Sequence, residues 1–569
     1  MYILGVSCFY HDAAAALIHD GQLVAATEEE RLSRKKHDSR FPRLAADWCL
    51  KKAGITIRDV DYVVFYEKPF TKFERIIKTN LASFPRTSVL FARSMATWLG
   101  EKLWMEAVIR EELGYTREIL YVEHHMSHAA SAYFCSPFDE AAILSVDGVG
   151  EWTTTATGTA RGSEIRLEEE LRFPHSIGLL YSAFTAFLGF EVNEGEYKVM
   201  GMAPYGQPKY VDKIHKIVKI HDDGSFWLDM DYFAYHRTHD TSFSRKFVDL
   251  FGKPRNPKTE EKLDPYYADV AASIQAVTEE ILIKIAKNLR KKTGMKNLCM
   301  AGGVALNSVA NAKIRFQAGF DDVYIQPAAG DPGGSLGAAL YAYRSLLGGK
   351  EKYRMDHAFY GPEFSSSEAE EFFTKENISF TEFPENDGRL LDRVVEMLMN
   401  GKVVGWYQGR SEWGPRALGN RSILADPRRA EMKDVVNRSI KFREAFRPFA
   451  PSVLVDRAAE YFDLPKPETH HPARFMLYVV PVLESARDKL PAITHVDGSG
   501  RLQCVVQEQN PRYYDLIRRF GQAGGVPAVL NTSFNLKGEP IVCSPEDAYR
   551  TFSRSGMDAL VVENLLVLK

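Results

Sequence analysis

Four donor side chains are spread over two hundred residues of this chain. His124 and His128 stand four apart in HHMSHAASAYF, while Asp147 in SVDGVG and Asp331 in AAGDPGGS each follow an apolar run. In a stretch of helical composition that spacing projects both imidazoles from one face, as a helix does when it offers two nitrogens to a transition ion. Two imidazoles and two carboxylates describe one metal site. With 15 histidines in 569 residues, chance alone supplies roughly 0.4 such pairs, so the pair by itself reads equally as two core histidines. Glycines beside both aspartates, in DGVG and GDPGG, add backbone amides able to face a phosphate. The combination favours a metal next to a nucleotide.

A second group is cationic. Arg416 and Arg421 lie in EWGPRALGNRSILADP, Lys441, Arg443 and Arg447 in IKFREAFRPFAPS, and Asn531, Ser533 and Asn535 in LNTSFNLKGEP. Guanidinium forks bind phosphate oxygens bidentately, and short hydroxyl or amide residues on a turn complete such a pocket. A solvated cationic surface is the alternative, but the charges are interleaved with Trp413, Phe442, Phe446 and Phe449, and charges among buried aromatics usually have an anionic partner, which favours a phosphate site. A further signal, NLCMAGGVALNSVANAKI, runs strand, Gly302-Gly303 turn, helix; alone it reads more readily as an ordinary strand-to-helix connection.

The elements that position these residues are mixed α/β. The opening reads as three strands, with His11-Asp12 at the tip of the first hairpin and Asp20-Gly21 as a two-residue turn. A second succession of three strands starts at AAILSVDGVG, so the pattern is an internal duplication of the actin, sugar-kinase and heat-shock ATPase kind. Character changes at Gly348-Gly349-Lys350, which predicts one domain over 1–350 and a second α/β domain over 351–569.

Composition sets the bounds. With 45% apolar residues and a formal charge of −3, the chain can bury several cores and carries no electrostatic footprint for nucleic acid or anionic lipid. Six dispersed cysteines without a CxxC pair fit a reducing cytoplasm. No leader peptide or membrane span is expected. Oligomeric state stays open, homodimers being the most frequent outcome.

Taken together, the motifs resemble the family of nodulation-factor, cephamycin and tobramycin O-carbamoyltransferases, from GVSCFYHDAAAAL and EEERLSRKKH at the start to NTSFN and SPEDA near the end. The resemblance implies an N-terminal domain similar to tRNA threonylcarbamoyl transferase, with the duplicated actin-like ATPase fold, and a C-terminal YrdC-like domain. It implies metal ligands at His124, His128, Asp147 and Asp331, with iron(II) as the metal; the donor types alone would also hold zinc or manganese. It implies adenylate contacts at Gly148, Lys198, Gly302, Gly303 and Asn307. The YrdC-type signatures fall on Lys441-Phe442-Arg443 and Ser533-Phe534-Asn535, with Arg416, Arg447 and Arg501 as helpers.

The implied activity begins with carbamoyl phosphate and ATP, with Mg²⁺, forming a carbamoyl-adenylate. The carbamoyl group then passes to a hydroxyl of a small natural-product-like acceptor, with AMP leaving. His11 is the candidate base or orienting group, with Asp12 behind it, and Lys36 in SRKKH could hold the acceptor or carbonyl or be a solvated lysine. Residues 207–265, with Tyr232, Phe233, Tyr235, His236 and His239, could line an acceptor pocket or form a small core of their own. The competing readings are a small-molecule kinase with Asp147 as base, a hydrogenase-maturation carbamoyltransferase, and a non-catalytic nucleotide-binding module. The kinase leaves the cationic group unexplained, and the zinc-finger cysteines of the hydrogenase-maturation type are not seen.

Overall fold

The computed structural model describes residues 1–569 except 86, 101, 239, 259–261, 386–387 and 445. Two compact units emerge. The first holds Met1–Val24 and Ser39–Arg354; the second holds Met355–Lys569 together with a short early segment, Ala25–Asp38.

Two five-stranded sheets form the first unit's framework. In the first, β1 (Tyr2–Ser7), β2 (Ala14–His19), β3 (Gln22–Glu28), β4 (Tyr62–Phe65) and β5 (Ile119–Tyr121) take the order β3-β2-β1-β4-β5. The second contains β6 (Glu140–Val146), β7 (Thr153–Arg161) and β8 (Glu164–Arg172). A small hairpin of β9 (Val218–Ile220) and β10 (Phe226–Leu228) intervenes before β11 (Asn297–Ala301) and β12 (Asp322–Ile325). Its order, β12-β11-β6-β7-β8, is the first one repeated. In each sheet the leading strand pairs antiparallel with the next and parallel with a later one. This is the duplicated ATPase-type fold that the sequence predicts. Asp20 and Gly21 both take positive φ, +48° and +79°, as the tight β2–β3 turn requires.

Helices carry the chemistry-bearing residues to strand ends. His124–Tyr133 follows β5, and Asp331–Tyr341 follows β12. These two helices cross so closely that a Cβ at Gly337 would lie 1.8 Å from the Ser127 carbonyl oxygen. The glycine in GGSLGAAL thus lets the Asp331 helix approach the histidine helix.

A nine-stranded sheet organises the second unit. Its strands are β13 (Thr381–Glu382), β14 (Val404–Tyr407), β15 (Arg421–Ala425), β16 (Ala450–Leu454), β17 (Tyr478–Pro481), β18 (Ser499–Val505), β19 (Ala528–Ser533), β20 (Ala559–Val562) and β21 (Leu565–Leu568). They lie in the order β13-β21-β20-β14-β15-β19-β16-β18-β17. Helices Arg389–Met399 and Pro511–Gly524 lay Leu390, Val394, Leu398, Leu516 and Phe520 onto Val404, Trp406, Leu424 and Val529. The same sheet face continues into a polar run, Ser533, Asn531, Ser452 and Gln503, set by the register of β19, β16 and β18. One face therefore serves apolar core at one side and carries a row of polar side chains at the other.

All six cysteines are free and buried. Among the described residues no helix is long and apolar enough to cross a membrane. In the 207–265 stretch, Phe233 packs against Phe247, and Phe247 and Phe251 against Phe184 and Phe187. The aromatics there build a small core, with Phe233 at 1% exposure; His239 lies outside the described residues.

Candidate active sites

In the first unit, His124, His128, Asp147 and Asp331 meet, each offering a ligand atom within 4.8 Å of the others. His124 Nε2 stands 2.9 Å from Asp147 Oδ2 and 3.1 Å from His128 Nε2, and Asp331 Oδ1 lies 3.7 and 3.8 Å from the two imidazoles. All four are buried. Burial pushes His124 down to about 3, and burial with the neighbouring Asp147 charge pushes Asp331 up to about 7. Burial also opposes the Asp147 charge, yet hydrogen bonds with His124 and His128 hold that carboxyl well below the usual range. Two imidazole nitrogens facing each other between two carboxylates, away from water, form a donor set that fits a divalent cation.

Outer groups hold these donors in place. Glu151 accepts the backbone N–H of His124 at 3.0 Å and that of Lys68 at 2.8 Å, which satisfies an N–H left open at the start of the histidine helix. Glu67 approaches His124 Nδ1 at 3.9 Å and pairs with Lys72 at 2.5 Å. The Tyr66 hydroxyl donates to Asp331 Oδ2 at 3.3 Å. Sequence reasoning missed Tyr66, Glu67 and Glu151. The available signal was position, because Tyr66 and Glu67 immediately follow β4 and Glu151 ends the DGVG turn.

Among the expected adenylate contacts, Gly148 follows Asp147, and the Gly303 N–H donates to Asp147 Oδ1 at 3.2 Å. Gly302 has φ +94°, and a Cβ there would lie 2.2 Å from the Val146 carbonyl oxygen. Asn307 caps the helix Ser308–Gln317 and also bonds to Gln275. The Lys198 ammonium lies 5.8 Å from the centre of the Phe190 ring. His11 and Asp12 occupy the β1–β2 loop, with His11 Nδ1 2.7 Å from Asp12 Oδ2. Burial lowers the His11 pKa and is the largest single influence, but the Asp12 hydrogen bond and charge together with the Asp331 charge outweigh it and push the imidazole up to about 9.

The second unit gathers cations. A helix that begins at Met432 continues as a π-helical turn over Val436–Lys441 and ends at Phe442, whose φ is +48°. Lys441 is buried there, and its Nζ donates to the Asn535 carbonyl at 2.9 Å, to Asn535 Oδ1 at 2.8 Å and to Ser533 Oγ at 3.3 Å. Lys441, Ser533 and Asn535 thus come together. Burial, with Arg443, Arg447 and Lys36 nearby, holds the Lys441 ammonium well below its ordinary pKa. Lys36 therefore lies with this cationic group, in the second unit.

Arg443 donates to Asn437 Oδ1 at 2.8 Å and lies over the Phe449 ring; Arg447 faces Glu444 at 3.7 Å. Arg501 sits on β18, two residues before Gln503, on the polar face. Arg416 follows Gly414-Pro415 and is half-buried. Asn531 is buried and donates to Ser452 Oγ, Gln503 Oε1 and the Ala417 carbonyl. Arg421, fully buried, directs its guanidinium at the carbonyls of Gln408, Gly409, Asn420 and Pro362 and stacks 3.5 Å from the Tyr407 ring centre. Trp413, Phe446 and Phe449 are buried, but Phe442 is 50% exposed. The left-handed backbone at Phe442 turns its ring outward, so it is not one of the buried aromatics expected around these charges.

Two family models match the chain in succession. Residues 2–340 match the carbamoyltransferase N-terminus and residues 395–569 the carbamoyltransferase C-terminus. An uncharacterized protein of Synechocystis sp. is 47% identical, covering 100% of this chain and 97% of its own length. The nodulation protein NolNO of Sinorhizobium fredii is 38% identical over 99% of this chain and 79% of its own; NolO of Bradyrhizobium diazoefficiens is 39% identical over 79% of each. Among solved structures, component A of the Acidaminococcus fermentans (R)-2-hydroxyglutaryl-CoA dehydratase overlaps 61% of this chain and 99% of its own, at 13% identity and a TM-score of 0.33. The fold assignment rests on the repeated strand order instead. With both halves matched, the chain belongs to the carbamoyltransferase family and is a carbamoyltransferase.

Proposed function

We propose that this carbamoyltransferase is an O-carbamoyltransferase working in two half-reactions, with adenylate formation assigned to residues 351–569 joined by Ala25–Asp38, and transfer to the rest of 1–350. In the first step water takes the phosphate from carbamoyl phosphate. The carbamate oxygen then attacks the α-phosphorus of Mg²⁺-bound ATP, the bond from that phosphorus to the bridging oxygen breaks, and pyrophosphate leaves. In the second step an acceptor hydroxyl attacks the carbamoyl carbon of the adenylate, the bond from that carbon to the phosphate oxygen breaks, AMP departs, and the hydroxyl proton is released to water. The acceptor is a small molecule.

One observation carries this reading: the chain buries two clusters of opposite character, four metal-type donors in one unit and a lysine among arginines in the other. Buried like charges call for a ligand of the opposite sign. Lys441, Arg443 and Arg447, with Ser533 and Asn535 and with Arg416 and Arg501 as helpers, suit a step in which several phosphate charges must be held in line. Arg421 and Asn531, being engaged within the protein, shape that pocket from behind.

His124, His128, Asp147 and Asp331 would hold the metal, iron(II) in this reading, which as a Lewis acid supplies charge stabilisation at adenylate oxygens. Gly148, Gly302, Gly303, Asn307 and Lys198 line the adenylate. The protonated His11, paired with Asp12, sets a positive charge beside the carbonyl oxygen as it gains negative charge during attack. Water must be kept from the mixed anhydride, and burial of the donor cluster supports that.

The test supplies carbamoyl phosphate, ATP and a panel of hydroxyl compounds. AMP, pyrophosphate and phosphate, together with a mass gain of one carbamoyl group on an acceptor, are the expected products. ADP as the nucleotide product would make the protein a kinase and overturn the reading.

A further inference from the structure

The segment EEERLSRKKH contributes only Lys36 to the chemistry above, yet it is tied into the second unit by buried polar contacts. Glu28 Oε1 accepts the Gly414 N–H at 2.8 Å, and Arg31 Nη2 donates to the Gly414 carbonyl oxygen, also at 2.8 Å. Both backbone polar groups of one residue are thereby held by a pair that is itself 3.5 Å apart and buried. Gly414 has φ +107°, a backbone state open to glycine and costly for other residues. Arg416 stands two residues further on.

Arg34 grips a second loop. Its Nη1 donates to the Ile541 carbonyl at 2.6 Å, its Nη2 to the Pro540 carbonyl at 3.1 Å, and its Nε faces Asp547 at 3.2 Å. That loop runs directly on from Ser533-Phe534-Asn535, and Asn535 Nδ2 donates to the Glu539 carbonyl at 2.7 Å. Asn535 in turn receives Lys441. Charged donors and acceptors buried on backbone groups make such contacts strong and their loss costly. A phosphate pocket needs its loops fixed to well under an ångström.

We propose that Glu28, Arg31 and Arg34 are positioning residues of the adenylate-forming site, clamping the two loops that present Arg416 and Ser533–Asn535. The inference rests on the reading of the second unit as the place where carbamoyl-adenylate forms. A purely structural role would weaken both half-reactions together, whereas a positioning role falls on one.

The test uses the full-length protein. Arg31 is fully enclosed, so the variants are Arg34→Met, which keeps the aliphatic length, Arg34→Lys, and Glu28→Gln, which keeps an acceptor for the Gly414 N–H. Hydrogen exchange of the amides over 536–543 reads the clamp directly. ATP–pyrophosphate exchange with carbamoyl phosphate reads the first half-reaction, and transfer from supplied carbamoyl-adenylate reads the second. Arg34→Met is expected to speed amide exchange over 536–543 and to lower the kcat of pyrophosphate exchange by about tenfold to a hundredfold. Transfer from supplied adenylate should stay unchanged, Arg34→Lys should recover part of the loss, and Glu28→Gln should fall less than Arg34→Met. Unchanged amide exchange, unchanged pyrophosphate exchange in a folded Arg34→Met protein, or equal loss of both half-reactions overturns the proposal. If the wild-type protein supports no pyrophosphate exchange, adenylate formation is refuted, and amide exchange alone decides whether the segment holds the loops.

Discussion

The donor cluster of the first unit and the lysine cluster of the second answer the same physical problem with opposite signs. Around Asp331, burial and a second carboxylate favour the neutral acid; around Lys441, burial and three more cations favour the neutral amine. Each site gathers like charges where water cannot relieve them, so each is stabilised by a ligand of the other sign. The difference lies in what holds the groups. Three donors of the first unit are set by two tightly crossing helices and Asp147 by the end of β6, whereas Lys441 is set by a π-helical turn and by the loop after β19.

The widest break between the two should come from Lys441→Ala. Under the proposed function, loss of this buried lysine from the phosphate site is expected to lower adenylate formation by about 10³-fold, read by pyrophosphate exchange, while metal content stays at the wild-type level. His11→Asn should do the reverse, lowering transfer by about 10²-fold with carbamoyl-adenylate accumulating in chromatographic assays. Because Asp12 raises His11 to about 9, transfer should decline as pH rises through about 9, and Asp12→Asn should move that decline to lower pH. A rate that climbs toward pH 9 would instead make His11 a base. The sign for stability agrees: a pKa raised from 6.5 to about 9 gives stability fully present below pH 6.5 and lost as pH rises through the folded value.

Asp147→Asn sharpens the contrast from the other side. Metal affinity, measured by chelator competition on protein purified without oxygen, should fall by about 10²-fold, while pyrophosphate exchange persists. Metal analysis of the wild-type protein identifies the ion, and zinc or manganese in place of iron would revise that part of the reading. Gly302→Ala, with positive φ and a Cβ 2.2 Å from a carbonyl oxygen, should cost about 2 kcal/mol by thermal or denaturant unfolding. Phe442→Ala should be the mildest, within about 0.5 kcal/mol, since the ring is half exposed.

Local patterns were legible in the sequence where chemistry and geometry coincide. Asp20-Gly21 announced its turn, and the repeated three-strand openings announced the duplicated sheets. The four donors were readable because helix period and strand ends bring such residues together. Outward turning of Phe442 was not, because one residue of left-handed backbone reverses a side chain without changing composition. Nor does composition distinguish Arg421, facing four carbonyls, from an arginine facing phosphate. The allegiance of Ala25–Asp38 was hidden for a different reason. Its partners lie several hundred residues away, and periodicity carries no information at that range.

That allegiance matters during synthesis. Arg31 and Arg34 leave the ribosome 383 and 507 residues ahead of the carbonyls of Gly414 and Ile541. At about 5–20 residues per second, their partners arrive about 20 to 100 s later. The nascent chain must keep two arginines and a glutamate solvated through that interval, and the second unit becomes complete only after the Ile541 loop has emerged.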